Sequence, residues 1–164
     1  MRFYIIIFFI FISGCSGVEF LVGNNFNFLD GKTTYSTTGN KSEYLTEALN
    51  RSFGIAKTKD TTYILSAKNS ENKTNAVIGT NQVSSDVNYS INISYTLENL
   101  NQNCIVDLKV ISTKFSIKPK SEGFNFGSDR SLESLYKRNI FSNVQRYKSY
   151  LNSLNSLDKC IDEN

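Results

Sequence analysis

The sequence predicts an α+β domain, an antiparallel sheet of about four strands with two helices packed on one face. Two periodicities and one order of elements carry that reading. From Val87 to Leu97, apolar Val87, Tyr89, Ile91, Ile93, Tyr95 and Leu97 alternate with Asn88, Ser90, Asn92, Ser94 and Thr96, the period of a strand buried on one face only. Near the C-terminus, Leu132, Leu135, Tyr136, Ile140, Val144, Tyr147, Leu151 and Leu154 recur at helical spacing and mark one face of a long helix. The order strand, helix, several long strands, long helix places both helices on one side of a sheet.

Taken in order, Thr33 to Thr38 is a run of Thr, Ser and Tyr with strand propensity. Asn40 with Glu43 three residues on, then Tyr44, Leu45, Ala48, Leu49 and Phe53 before Gly54, predicts a short amphipathic helix over 41–53. Tyr63, Leu65 and Ala67 share the phase of a second strand, and Val87–Leu97 forms the third. In the fourth, Ile105 to Ile117, the apolar residues change parity: Val106, Leu108 and Val110 are even, Ile111, Phe115 and Ile117 odd. A bulge near Val110-Ile111 is the expected cause, because one extra residue exchanges the two faces of a strand. Pro119, the single proline, closes that strand, and Ser128 or Asp129 is placed to cap the last helix. Lys137, Arg138, Arg146 and Lys148 on that helix read as a solvated face.

The N-terminus is of a different kind. Arg2 precedes an unbroken apolar run from Phe3 to Ile12, followed by Ser13-Gly14-Cys15. Such a run is too short for a bilayer span, which takes roughly 20 apolar residues. Its small-small-Cys ending resembles the bacterial lipobox, which implies cleavage before Cys15 and acylation of that cysteine. One acyl chain anchors only marginally, whereas two or three hold a domain on a membrane surface without spanning it. The expected division is a lipoprotein signal peptide at 1–14, a lipidated tether at 15–32, one α+β domain at 33–157 and a tail at 158–164. Ser16, in place of an Asp, fits sorting to the outer membrane. With Cys15 lipidated, Cys104 and Cys160 remain, and outside the cytoplasm they either form a disulfide or stand as two independent thiols.

Composition narrows the chemistry. The chain has no His and no Trp, which removes the commonest general base and metal ligand together with every Ser-His-Asp or Cys-His arrangement. No metal site and no cofactor are expected. Its glycines form no phosphate-binding loop, and carboxylates such as Asp86, Glu98 and Asp107 read as surface or turn residues. A net charge of +3 is too weak for a nucleic-acid partner, and the Tyr and Phe residues lie among Asn and Ser, not among cations. The sequence is therefore not read as that of an enzyme. Asn-x-Ser/Thr triplets at Asn40, Asn72, Asn88 and Asn92 follow from the abundance of those residues.

Ser13-Gly14-Cys15, the helix around Leu45 to Phe53, the stretch Gly79 to Leu97 ending Ile93-Ser94-Tyr95-Thr96-Leu97, and the helix from Asp129 through Leu154 together resemble the LPS-assembly lipoprotein family, LptE. The glycine-rich word usual after the lipid cysteine is reduced here to Ser16-Gly17. The resemblance implies an outer-membrane lipoprotein that plugs the LPS-inserting β-barrel, assists its assembly and touches lipopolysaccharide. The partners it implies are that barrel, the glycolipid, and the membrane through N-terminal acyl chains. Lys114, Lys118 and Lys120 are then candidate contacts for glycolipid phosphates, their other reading being lysines that protect an edge strand from pairing. The alternative function is a periplasm-facing lipoprotein serving as a binding or regulatory subunit of another envelope complex, a transport auxiliary or a regulator of cell-wall synthesis.

Overall fold

A computed structural model describes residues 29, 31–55, 61–75, 87–117, 128–154, 157 and 159–161. The expectations for the signal segment, Cys15, Lys118, Pro119 and Lys120 lie outside these residues. The elements are β1 (Thr33–Gly39), α1 (Ser42–Phe53), β2 (Tyr63–Asn75), β3 (Val87–Asn99), β4 (Cys104–Ile117) and α2 (Ser128–Ser153). One sheet runs β1-β2-β3-β4 in space, the same order as in sequence.

Both helices cover the same face of this sheet, so the fold is α+β as expected, but the sheet is mixed. β2, β3 and β4 pair antiparallel, whereas β1 pairs with β2 in parallel, Thr33 opposite Tyr63 through Gly39 opposite Asn69. The parallel pairing of β1 has a simple cause. β1 and β2 are joined through α1, and a helical crossover returns the chain to the same end of the sheet, where only a parallel neighbour can form.

Gly39 makes the crossover so tight. Its φ is 92°, and a Cβ there would lie 1.9 Å from the Asn69 carbonyl oxygen, so a side chain is excluded on both counts. The next residues complete the corner: Asn40 N–H donates to the Asn69 carbonyl (3.1 Å), and the Asn69 side-chain amide donates back to the Asn40 carbonyl. Lys41, at φ 55°, then precedes the first turn of α1.

Alternation along β3 is complete, with Val87, Tyr89, Ile91, Ile93, Tyr95 and Leu97 all buried beneath the helices. Leu45, Ala48, Leu49 and Phe53 of α1 and Tyr136, Ile140, Val144, Tyr147 and Leu151 of α2 supply the upper half of the core. Leu29 and Leu157, at either end of the described chain, are buried in the same cluster.

The bulge lies earlier in β4 than parity alone suggests. Leu97 faces Asp107 and Glu98 faces Ile105, so Val106 is the extra residue. Val106 and Asp107 are both buried, while Leu108 and Val110 point to the open face at 54% and 64% exposure. The odd-numbered Ile111, Thr113, Phe115 and Ile117 face the helices through their partners Ile93, Ile91, Tyr89 and Val87. Of the apolar even positions that suggested a later bulge, Val106 is thus core, while Leu108 and Val110 are exposed apolar residues.

Candidate functional site

The sheet presents two chemically opposite faces. Aromatic rings lie on the helix side: Tyr89 stacks on Phe115 (4.9 Å between centroids), and Tyr136 meets both rings edge-on. Tyr95 stacks on Tyr147 at 4.0 Å with the rings 3° from parallel. On the open side, β3 contributes Asn88, Ser90, Asn92, Ser94 and Thr96, and the register sets beside them Ser116, Lys114, Ser112, Val110 and Leu108 of β4. Hydroxyls bridge this surface, with Ser90 Oγ 3.2 Å from Ser112 Oγ, Ser70 donating to the Asn92 carbonyl (3.2 Å) and Ser116 donating to the Asn88 side chain. The result is a broad amide and hydroxyl surface with an apolar corner at Leu108 and Val110.

A buried polar layer fixes α2 over β4 and sets the position of that surface. Tyr95 OH donates to Asn143 Oδ1 (2.8 Å), and Asn143 Nδ2 donates to the Ile111 carbonyl (2.8 Å). Asp107 was expected at the surface, yet it is 4% exposed and accepts from Tyr147 OH (2.9 Å) and Tyr150 OH (3.0 Å). The reason is the bulge, which turns Asp107 inward beside Val106, where two phenols pair its oxygens. Burial pushes the Tyr95 phenol far up, and burial with the Asp107 charge does the same for Tyr147. Tyr136 is raised by burial and by its hydrogen bond to Glu71. These phenols stay protonated and act as donors.

The cations of α2 are only partly a solvated face. Lys148 is half-buried and donates to the Ser52 carbonyl of α1 (2.7 Å), and Gln145 donates to Ser52 Oγ (2.8 Å), so these two side chains join the helices. Lys137 pairs with Glu133 (2.9 Å), which also accepts from Tyr44 OH (3.0 Å); both bonds hold the Glu133 carboxyl below its usual value. Tyr44, Glu47, Ala48, Arg51, Lys137 and Phe141 line a cleft of about 60 Å³ between the helices, far smaller than the roughly 300–1,000 Å³ of a small-molecule site.

Of the candidate residues, Lys114 is exposed on the open face opposite Ser90. Cys104 and Cys160 are joined in a disulfide with Cα atoms 5.7 Å apart, which ties the tail to the start of β4. Beside it the Ile161 N–H donates to the Ile105 carbonyl (2.8 Å). No helix among the described residues is long and apolar enough to cross a membrane. What sequence reasoning missed is the Tyr95–Asn143 and Tyr147–Asp107–Tyr150 layer. Its only sequence signal is a carboxylate at the parity break of β4 and an Asn within the apolar face of the last helix.

No protein-family profile matches this chain, and no curated protein sequence is similar to it. Solved structures are similar in fold. The minor lipoprotein of Acinetobacter baumannii aligns with a TM-score of 0.57 at 15% identity, over 76% of this chain and 93% of that one. Lipoprotein B of Nitrosomonas europaea aligns at 0.58 and 13% identity, over 76% and 84%. The rare lipoprotein B of Shewanella oneidensis aligns at 0.50 and 10% identity, over 73% and 93%. At these identities the likeness is one of fold, so the chain has the α+β fold of these bacterial lipoproteins.

Proposed function

We infer that the chain is an outer-membrane lipoprotein, anchored at Cys15, that plugs and assists assembly of the barrel inserting lipopolysaccharide. The observation that carries this reading is the coincidence of a lipobox-like Ser13-Gly14-Cys15 with a fold shared by three bacterial lipoproteins over about three quarters of the chain. A plug needs shape and a polar skin more than a reactive group. The Ser, Thr and Asn surface of the sheet supplies donors and acceptors suited to a wet lumen, where bridging waters complete the contacts. Lys114, on that surface, is available to the phosphates of the glycolipid.

Affinity purification of the full chain from bacterial membranes tests the reading. Recovery of a large outer-membrane barrel at near-equal stoichiometry is the expected result. Recovery with an inner-membrane transporter or a wall synthase instead would replace it with the auxiliary-subunit function. The anchor has its own test: the Cys15→Ala chain should appear in the soluble fraction, and an unmodified Cys15 thiol in the intact parent would remove the lipoprotein premise.

A further inference from the structure

The outer edge of β4 already receives another segment of backbone. Ile161 N–H donates to the Ile105 carbonyl at 2.8 Å, and the Cys104–Cys160 disulfide holds the tail there. Beyond Ile105, among the described residues, no second backbone pairs with this edge; further along, Asn143 and Arg146 of α2 reach the Ile111 and Ser112 carbonyls. Between these contacts, the outer side of the Val106–Val110 backbone has no backbone partner among the described residues.

Its side chains are specific in kind. The bulge at Val106 sets Ile105 opposite Glu98, on the same open face as Leu108 and Val110, so three apolar groups line one side of the edge. Leu108 and Val110 are 54% and 64% exposed, unusual for the edge of a sheet whose neighbouring surface is Ser, Thr and Asn. On the helix side Lys109 stands 4.2 Å over the Tyr150 ring, one helical turn along from Arg146, which reaches the Ser112 carbonyl, and Lys114 follows on the open side. Asp107, the one carboxylate of β4, is buried and held by two tyrosines, so it does not neutralise them.

We propose that this edge of β4 receives an extended segment of another chain in which apolar and acidic residues alternate. Strand addition supplies the backbone hydrogen bonds, and alternate side chains give the specificity. Period two sends the partner's apolar residues toward Leu108 and Val110 and its acidic residues toward Lys109 and Arg146. A second copy of this chain is disfavoured, because antiparallel pairing of two β4 edges brings cation against cation. The inference rests on the edge and holds for whichever envelope complex the chain serves.

The test uses the purified full chain with three peptide probes: one of alternating Glu and Val, one of alternating Lys and Val, and the Glu-Val peptide with alternate backbone nitrogens methylated. The expected result is binding of the first alone, with slowed amide exchange between Val106 and Val110. Lys109→Glu combined with Arg146→Glu should weaken it about tenfold or more. If that pair lowers stability, the exposed Lys109→Glu alone is the second variant and should weaken binding several-fold. Equal binding of the Lys-Val or methylated peptide, or protection confined to other strands, overturns the proposal. So does protection of the same amides by vesicles of phosphatidylethanolamine and phosphatidylglycerol but not by the Glu-Val peptide, which would assign the edge to a lipid surface.

Discussion

Asp107 shows how one backbone irregularity changes the role of a side chain. In an unbroken ladder, parity puts either Val106 or Asp107 on the helix side; the bulge puts both there, and the carboxyl is accommodated by the Tyr147 and Tyr150 hydroxyls. Asp107→Ala leaves the buried Tyr147 hydroxyl and the half-buried Tyr150 hydroxyl without this acceptor and should cost on the order of 3 kcal/mol in urea unfolding, with Asp107→Asn costing less because one acceptor survives. The same layer governs behaviour in alkali. Burial raises the Tyr95 and Tyr147 pKa values above the ordinary 10.0, so the folded state holds these protons more tightly than the unfolded chain. Their contribution is whole below pH 10 and is lost as pH rises above it. A titration followed at the tyrosinate absorbance band should therefore show the buried phenols ionising together with loss of far-UV circular dichroism, not before it.

The elements are held by devices of unequal strength. The exposed pairs Glu47–Arg51 and Glu133–Lys137 lie one helical turn apart on their helices, and such pairs contribute little. By contrast, the disulfide joins residues 56 apart and fastens the tail to β4. By the chain-entropy account, a loop of that size stabilises the fold by about 4 kcal/mol. Replacing Cys104 and Cys160 by Ser should accordingly lower the thermal midpoint by roughly 10 °C, and scanning calorimetry of the oxidised and variant chains checks it. α2 has a further tie: Lys148 and Gln145 bind Ser52 at the end of α1, so the two helices are joined where both lie over the sheet.

The whole molecule has one core, shared by all four strands and both helices, with Leu29 and Leu157 closing it from either end of the described chain. A single core of this kind predicts a single cooperative transition. Urea unfolding followed by tyrosine fluorescence, in a chain without Trp, and by far-UV circular dichroism should give coincident curves. Separate midpoints would mean that the β1–α1–β2 unit unfolds apart from the β3–β4–α2 unit. The two-faced sheet also has a consequence at this scale: the aromatics are spent on the helix side, and the open side is left to Ser, Thr, Asn and the Leu108–Val110 corner for contact with other molecules.

The elements were legible in the sequence because each is written in a local period. The alternation of Val87 to Leu97 determined which face of β3 is buried, and the spacing from Tyr136 to Leu151 determined which face of α2 covers it. The absence of His likewise bounded the chemistry before any fold was known. Tertiary structure decided what depends on neighbours distant in sequence. The direction of β1 follows from a crossover through α1 that Gly39 and Asn69 make tight, and strand propensity carries no direction. The parity change in β4 was visible, but its place was not, since exposed Leu108 and Val110 mimic a buried phase until β3 shows which face is covered. Asp107 and Asn143 became structural because Tyr95, Tyr147 and Tyr150 reach them across the core, and hydrogen bonds between side chains so far apart along the chain leave no periodic trace.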